Sequence, residues 1–146
     1  MTRKAAELAG TRLTLAEFKT PPYDYKAAFE QGRKEQAEAL MLLTGPRFST
    51  DVRTIAALAL THRLPSISFA VQHADAGLLL TLSANQAKAA RRTAEVAVQV
   101  LKGAKPVDIP VEQSDEFDFA VNVKTAKALG IKIPEIVFAR ATRIVQ

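Results

Sequence analysis

The sequence predicts an α/β fold of three layers, with helices on both faces of a mostly parallel sheet. Three observations carry the prediction. Short apolar runs of strand length alternate with segments of helical period. The connections between them are short and hold Gly or Pro. The run Ala39 to Leu43 is apolar throughout, which suits a strand buried on both faces of a parallel sheet. Alternation of this kind favours helices layered on a sheet.

Each element has its own warrant. Lys4 to Ala9 reads as a short helix stopped by Gly10, and Leu13, Leu15 and Phe18 as a short strand before the break at Pro21-Pro22. Tyr25, Ala28, Phe29 and Gly32 recur at i, i+3, i+4 and i+7 with charges between them, an amphipathic helix. Thr44-Gly45-Pro46 ends the strand Ala39 to Leu43. Thr50 is the expected N-cap of a helix from Asp51 to His62, with Asp51 in a first turn that favours negative charge. Ser66 to Phe69 and Leu78 to Leu82 are further strands. Asn85 caps a long helix ending at Lys102-Gly103, and Pro106 and Pro110 keep the next stretch extended. Phe117, Phe119, Val121 and Val123 alternate with smaller or polar residues, a half-exposed strand. Lys124 to Leu129 is a short helix closed by Gly130.

The long helix is unusual. At about 100° per residue its polar residues fall in one arc of roughly 100°, and the apolar ones spread over about 200°. Such a helix is expected to pack on two sides, with part of its partner surface on another chain or domain.

Composition narrows the function. The chain has 146 residues, 48% of them apolar and 24% charged, as in globular domains. There is no cysteine, hence no disulfide, thiol nucleophile or thiolate metal site. The net charge of +5 is spread along the chain, and the pair Arg91-Arg92 has no aromatic beside it, which argues against nucleic-acid binding. No apolar run is long enough to span a membrane, and Glu7, Gly10 and Arg12 interrupt what would be the core of a signal peptide. Read as complete, such a chain stays in the cytoplasm.

Catalytic chemistry is thin. His62 closes a helix, where a partly protonated imidazole suits the dipole. His73 lies in a loop near Asp75, with nothing to complete a triad or a metal site. Asp115, Glu116 and Asp118 read as a solvated strand edge rather than an acid/base pair. No nucleophile elbow, phosphate loop or cofactor motif is present. The chain is therefore not expected to be an enzyme, and no cofactor is expected. Binding has more support, because ligands of open α/β sheets sit beyond the carboxyl ends of the strands. That rule singles out Thr44, Gly45, Pro46, Phe69, Gln72 and Asn85.

The block Leu101-Lys102-Gly103-Ala104-Lys105-Pro106, Asp108, Pro110-Val111-Glu112-Gln113, Phe117, Asn122, Lys124 to Gly130 and Pro134 is long and specific. With Ala28-Phe29, Ala37 to Leu43, Pro46, Phe48, His62-Arg63-Leu64-Pro65, Ala76-Gly77 and Asn85, it resembles the bacterial substrate-binding proteins of ABC transporters, over roughly Tyr25 to Gln146. The resemblance implies one lobe of a type I periplasmic-binding-protein fold. Residues 1–146 would then form a single domain like the carboxyl-terminal half, without an amino-terminal lobe. It also implies non-catalytic capture of a small-molecule solute, an ABC permease as partner, and a periplasmic setting. Members tend to carry Arg-Glu-Phe where this chain has Val71-Gln72-His73, and Ser-Tyr-Gly-Pro-Asn where it has Thr81-Leu82-Ser83-Ala84-Asn85. Only Asn85 persists. The first strand of such a lobe is expected to be missing, leaving a gap between the strands Leu13–Phe18 and Ala39–Leu43. A homodimer that has lost solute binding is the alternative expectation.

Overall fold

The computed structural model describes residues 2–43, 45–110 and 115–146. Helices flank one sheet of five strands. In chain order the elements are α1 (Thr2–Leu8), α2 (Tyr25–Lys34), β1 (Leu40–Leu42), α3 (Pro46–Thr61), β2 (Ser66–Ser68), β3 (Leu80–Ala84), α4 (Gln86–Leu101), β4 (Phe117–Asn122), α5 (Val123–Leu129), α6 (Glu135–Arg140) and β5 (Arg143–Val145). The strand order is β1-β2-β3-β4-β5. Only β3–β4 is antiparallel, so the sheet is mostly parallel, as expected.

Register separates the two faces, because residues paired across strands point the same way. One row runs Leu42, Ser68, Thr81, Ala120, and all four are buried. Leu42 joins Phe29 of α2, Val52, Ile55, Ala56 and Ala59 of α3, and Leu78 in the main core. The adjacent row runs Met41, Ile67, Leu80, Val121, Ile144. It is apolar throughout, yet Met41 is 50% exposed and Ile144 48% exposed. On the same face Leu82 is 39% exposed. The expected burial of Ala39 to Leu43 on both faces therefore fails. β1 is an edge strand, and only its Leu42 face has helices over it.

Helix α4 forms as expected, through an Ala-rich sequence of high helix propensity and the Asn85 cap. The Asn85 side chain accepts from Lys88 N at 2.8 Å. None of its 16 residues is buried, and Val98 is 47% and Leu101 86% exposed. The expected packing on two sides is thus absent within the chain, because neither apolar flank meets a packed element.

Several expectations need correction. Leu13 to Phe18 forms no strand. The segment is held by Arg12 to the Glu35 carbonyl and Thr14 to the Glu35 carboxylate. Phe18 packs among Tyr23, Tyr25 and Phe48 at centroid distances of 5.1–5.9 Å. Ring burial outweighs sheet pairing here, and the gap expected between that strand and β1 has no counterpart. Helix α3 starts at Pro46 rather than Asp51, with Gly45 as N-cap. A proline is well placed in a first turn, where its missing N–H costs nothing. Thr50 is therefore inside the helix and donates to Pro46 O at 3.1 Å. Asp51 is also inside it; its carboxylate accepts from Arg47 at 2.7 Å and from the Tyr25 hydroxyl at 2.8 Å. Burial, then Asp51, push the Tyr25 phenol up to about 12. Pro106–Asp108 closes a 3₁₀ turn rather than running straight.

Between the 3₁₀ turn Val71–His73 and β3 the chain runs irregularly, with Asp75 at the surface and the residues around it partly or fully buried. Ala74 and Leu78 are fully buried. Gly77 there has φ +111°, and a Cβ on it would lie 3.3 Å from Ala56 Cβ, so both conformation and space demand glycine. Buried backbone groups need partners, and side chains supply them. Ser66 Oγ accepts from Leu79 N at 3.0 Å. Asn122 Nδ2 donates to Ala74 O, and Thr125 Oγ1 to Gly77 O, each at 2.8 Å. Asn122 Oδ1 meanwhile caps α5 by accepting from Thr125 N at 2.8 Å.

Asn122→Ala removes a cap and one of the two hydrogen bonds to the buried Ala74 carbonyl, which keeps Gly77 N at 3.1 Å, and is expected to lower stability by about 1–3 kcal/mol. Asn85→Ala removes only the cap of an exposed helix, at about 0.5–2 kcal/mol. Urea unfolding compares them, and equal losses would contradict the double role of Asn122.

Candidate functional site

Short parallel strands of the covered face end in loops that turn into α3, the 3₁₀ turn and α4. Those loops enclose an open cleft of about 580 Å³. Of the residues singled out by sequence, Gly45, Pro46, Phe69 and Gln72 lie together on its walls. Thr44 lies outside the described residues. Asn85 stands next to the wall residue Gln86, with both ends of its amide engaged: Oδ1 caps α4, and Nδ2 donates to Asp118 Oδ1 at 3.0 Å.

Ser49, Ala70, Val71, Ser83 and Gln86 complete the wall. Ala70, Val71 and Ser83 belong to the strand ends that the sequence marks, Phe69 to Gln72 and Ser83 to Asn85, whereas Ser49 and Gln86 were missed. Ser49 is reached only because α3 begins a turn earlier than expected. None of the lining residues is charged. Ser83 is 8% exposed, and its hydroxyl has no hydrogen-bond partner among the described residues.

His73 is the largest departure from the sequence reading. It is 1% exposed, not a surface loop residue. Its Nδ1 lies 3.1 Å from Ser68 Oγ, and its Nε2 lies 3.1 Å from Ser49 Oγ. A buried imidazole thus joins a β2 hydroxyl to a hydroxyl on the cleft wall. Burial holds its pKa below the usual 6.5, so it is neutral at pH 7. Asp75, its neighbour in sequence, instead pairs with Arg143 of β5 at 2.7 Å.

The other titratable clusters are structural. His62 is the C-cap of α3, lies 3.9 Å from the Glu30 carboxylate and stacks on Phe29. Lys88 on α4 reaches Asp115 at 2.7 Å and Glu116 at 2.8 Å, and the Asp115 bond is the first cause of its raised pKa. Among the described residues no group of three or more His, Cys, Asp or Glu could hold a metal ion. No described helix is long and apolar enough to cross a membrane.

The buried imidazole has a consequence for stability. The unfolded chain takes up a proton at His73 near pH 6.5, while the folded chain takes it up only at lower pH. Stability tied to neutral His73 is therefore full above pH 6.5 and lost as pH falls below it. His73→Gln is expected to flatten the decline in melting temperature between pH 7 and pH 5. Parallel profiles for the two proteins would contradict it.

Known proteins agree with this geometry. Residues 2–145 match the family described as ABC transporter substrate binding protein. No curated protein matches the chain. An ABC domain in complex with L-Trp from Streptococcus pneumonia superposes with TM-score 0.78 at 27% identity, over 98% of this chain and 48% of that one. A conserved domain protein from Vibrio cholerae gives TM-score 0.83 at 23% identity, over 97% of this chain and 47% of that one. The ligand-free, open form of a substrate binding protein with adhesive properties from Clostridium difficile gives 0.73 at 22%, over 99% and 48%. The last two likenesses bear on the fold alone. The chain spans about half the length of these solved structures. With a family match across nearly its whole length and the same α/β sheet flanked by helices, the chain belongs to the ABC transporter substrate binding protein family.

Proposed function

We propose that residues 1–146 form one lobe of a solute-capture component of an ABC-type import system, equivalent to the carboxyl-terminal half of a two-lobed protein. One observation carries the reading: the family match over residues 2–145 falls on a chain whose cleft lies at the carboxyl ends of its parallel strands. Such clefts close on a ligand by hinge motion of one lobe against another. Gly45, Pro46, Phe69 and Gln72 would contribute one wall, with Asn85 at its margin; Thr44, outside the described residues, remains a candidate contact from the sequence alone. The partner is an ABC permease and the setting extracytoplasmic, both following from the family. Capture needs no catalysis and no cofactor.

The solute class follows from the lining and from one structural relative. Phe69 and Val71 offer apolar contact, while Ser49, Gln72 and Gln86 offer polar groups without charge. That mixture suits a small zwitterion with an apolar side chain, and the relative from Streptococcus pneumonia was solved with L-Trp.

A second reading rests on a different observation. The sheet face of Met41, Leu82 and Ile144 and the flanks of α4 leave large apolar side chains exposed. Contiguous exposed apolar surface of this kind marks interaction sites. A self-associating module of the same fold, a homodimer without solute, would cover it.

One paired experiment separates the two. Thermal shift against L-Trp, other amino acids and aromatic acids is expected to give a saturable rise, worth about 2.7 kcal/mol at a hundredfold excess over Kd. A flat panel, with sedimentation showing dissociation on dilution, would favour the homodimer. A flat panel with a monomer at every concentration would contradict both.

A further inference from the structure

We propose that His73 is a positioning residue of the cleft, which fixes the Ser49 hydroxyl as a hydrogen-bond donor to a solute carboxylate. The inference deepens the solute-binding reading and rests on it for the identity of the occupant. The direction of the hydroxyl rests on the buried network alone.

A proton count decides the direction. Ser68 is fully buried, and among the described residues its hydroxyl has one partner, His73 Nδ1 at 3.1 Å. A serine hydroxyl carries one proton and accepts through its lone pairs. If Nδ1 carried the ring proton, it would donate to Ser68 Oγ and leave the Ser68 proton buried without an acceptor. An unsatisfied buried group is the costlier arrangement. Ser68 therefore donates to a bare Nδ1. The neutral ring then carries its proton on Nε2, which faces Ser49 Oγ at 3.1 Å. Nε2–H donates and Ser49 accepts. The Ser49 proton is left over, and Ser49 lines the cleft.

What that proton would meet follows from its surroundings. No charged side chain lines the cleft, so a carboxylate there has no side-chain cation to pair with. The Ser49 hydroxyl stands in the first turn of α3, a helix of 16 residues whose N-cap, Gly45, supplies no side-chain acceptor. The free N–H groups of that turn favour negative charge. Hydrogen bonds to an ionised acceptor are about twice as strong as neutral ones. A donor fixed by the interior is also pre-organised and loses little freedom on binding. An uncharged donor held against a helix N-terminus thus discriminates for a carboxylate: His73 Nε2–H takes one lone pair of Ser49 Oγ, so the Ser49 proton is not spent on the ring and stays available to an acceptor in the cleft.

The test reads the tautomer first. Nitrogen-15 NMR of the imidazole in the wild-type chain at neutral pH is expected to show a bare Nδ1 and a protonated Nε2 for His73. Ser68→Ala removes the donor to Nδ1 and is expected to mix the two tautomers. A protonated Nδ1 in the wild type overturns the proposal. The second arm titrates L-tryptophan and tryptamine, which lacks the carboxylate, against wild type and Ser49→Ala. The variant is expected to weaken L-tryptophan about tenfold and leave tryptamine within about twofold. Equal effects on both ligands overturn the carboxylate assignment. If neither ligand binds the wild type, the solute reading fails and the tautomer alone decides the hydroxyl's direction.

Discussion

Irregular backbone between His73 and Leu79 brings Asp75 to the surface but buries His73, Ala74, Leu78 and Leu79, whose amides and carbonyls must find partners within the protein. The rest of the structure is arranged around that demand. Ser66 from β2, Asn122 from the end of β4 and Thr125 from α5 each spend a side-chain polar group on it. The segment then delivers Leu78 to the core beside Ile55 and Ala56, and delivers the strand β3 in register with both neighbours. Because Asn122 also caps α5, the sheet, the helix and the buried segment are joined through one amide. The same segment sets His73 against Ser49, so the geometry of the cleft wall follows from the packing beneath it.

Much of this was legible in the sequence, for physical reasons that can be named. Asn85 and Gly130 mark helix ends by chemistry that acts locally, and both do so here: Gly130 takes φ +72° as a left-handed cap. The strands around Ser66, Leu80 and Phe119 are recognisable from period and burial. Gly45, Pro46, Phe69 and Gln72 come together because the rule that places ligands at strand ends depends only on topology. Thr50 misled because a capping residue is as plausible there as a proline at the first turn, and only the path of the preceding loop decides. Leu13 to Phe18 reads as a strand, but Phe18 packs into the ring cluster of Tyr23, Tyr25 and Phe48 instead of bringing the segment to the free edge of β1. The pair α6 and β5 was not read, since a three-residue strand exists only through its pairing with β4. His73 is beyond local reading. Ser49 is 24 residues away in sequence, and nothing in the spacing couples them.

The two faces of the sheet give the protein its character. One face is closed by α2, α3 and α5 over small and polar residues, and the cleft opens at its strand ends. The other face keeps Met41, Leu82 and Ile144 in partial exposure around a buried Val121, and α4 has no buried position. A cleft at the strand ends and an exposed apolar face thus lie apart on one sheet and can be probed independently.

The central claim is that the buried segment from His73 to Leu79 is as stable as the fold itself. Native-state amide hydrogen exchange tests it directly. The Leu79 amide, held by Ser66 Oγ, and the Asn122 amide, held by Leu79 O at 2.9 Å, are predicted to exchange only through global unfolding. Their opening free energies should equal the stability from denaturant melts. Exchange of these amides through a lower-energy opening, while those of α3 stay protected, would contradict the account.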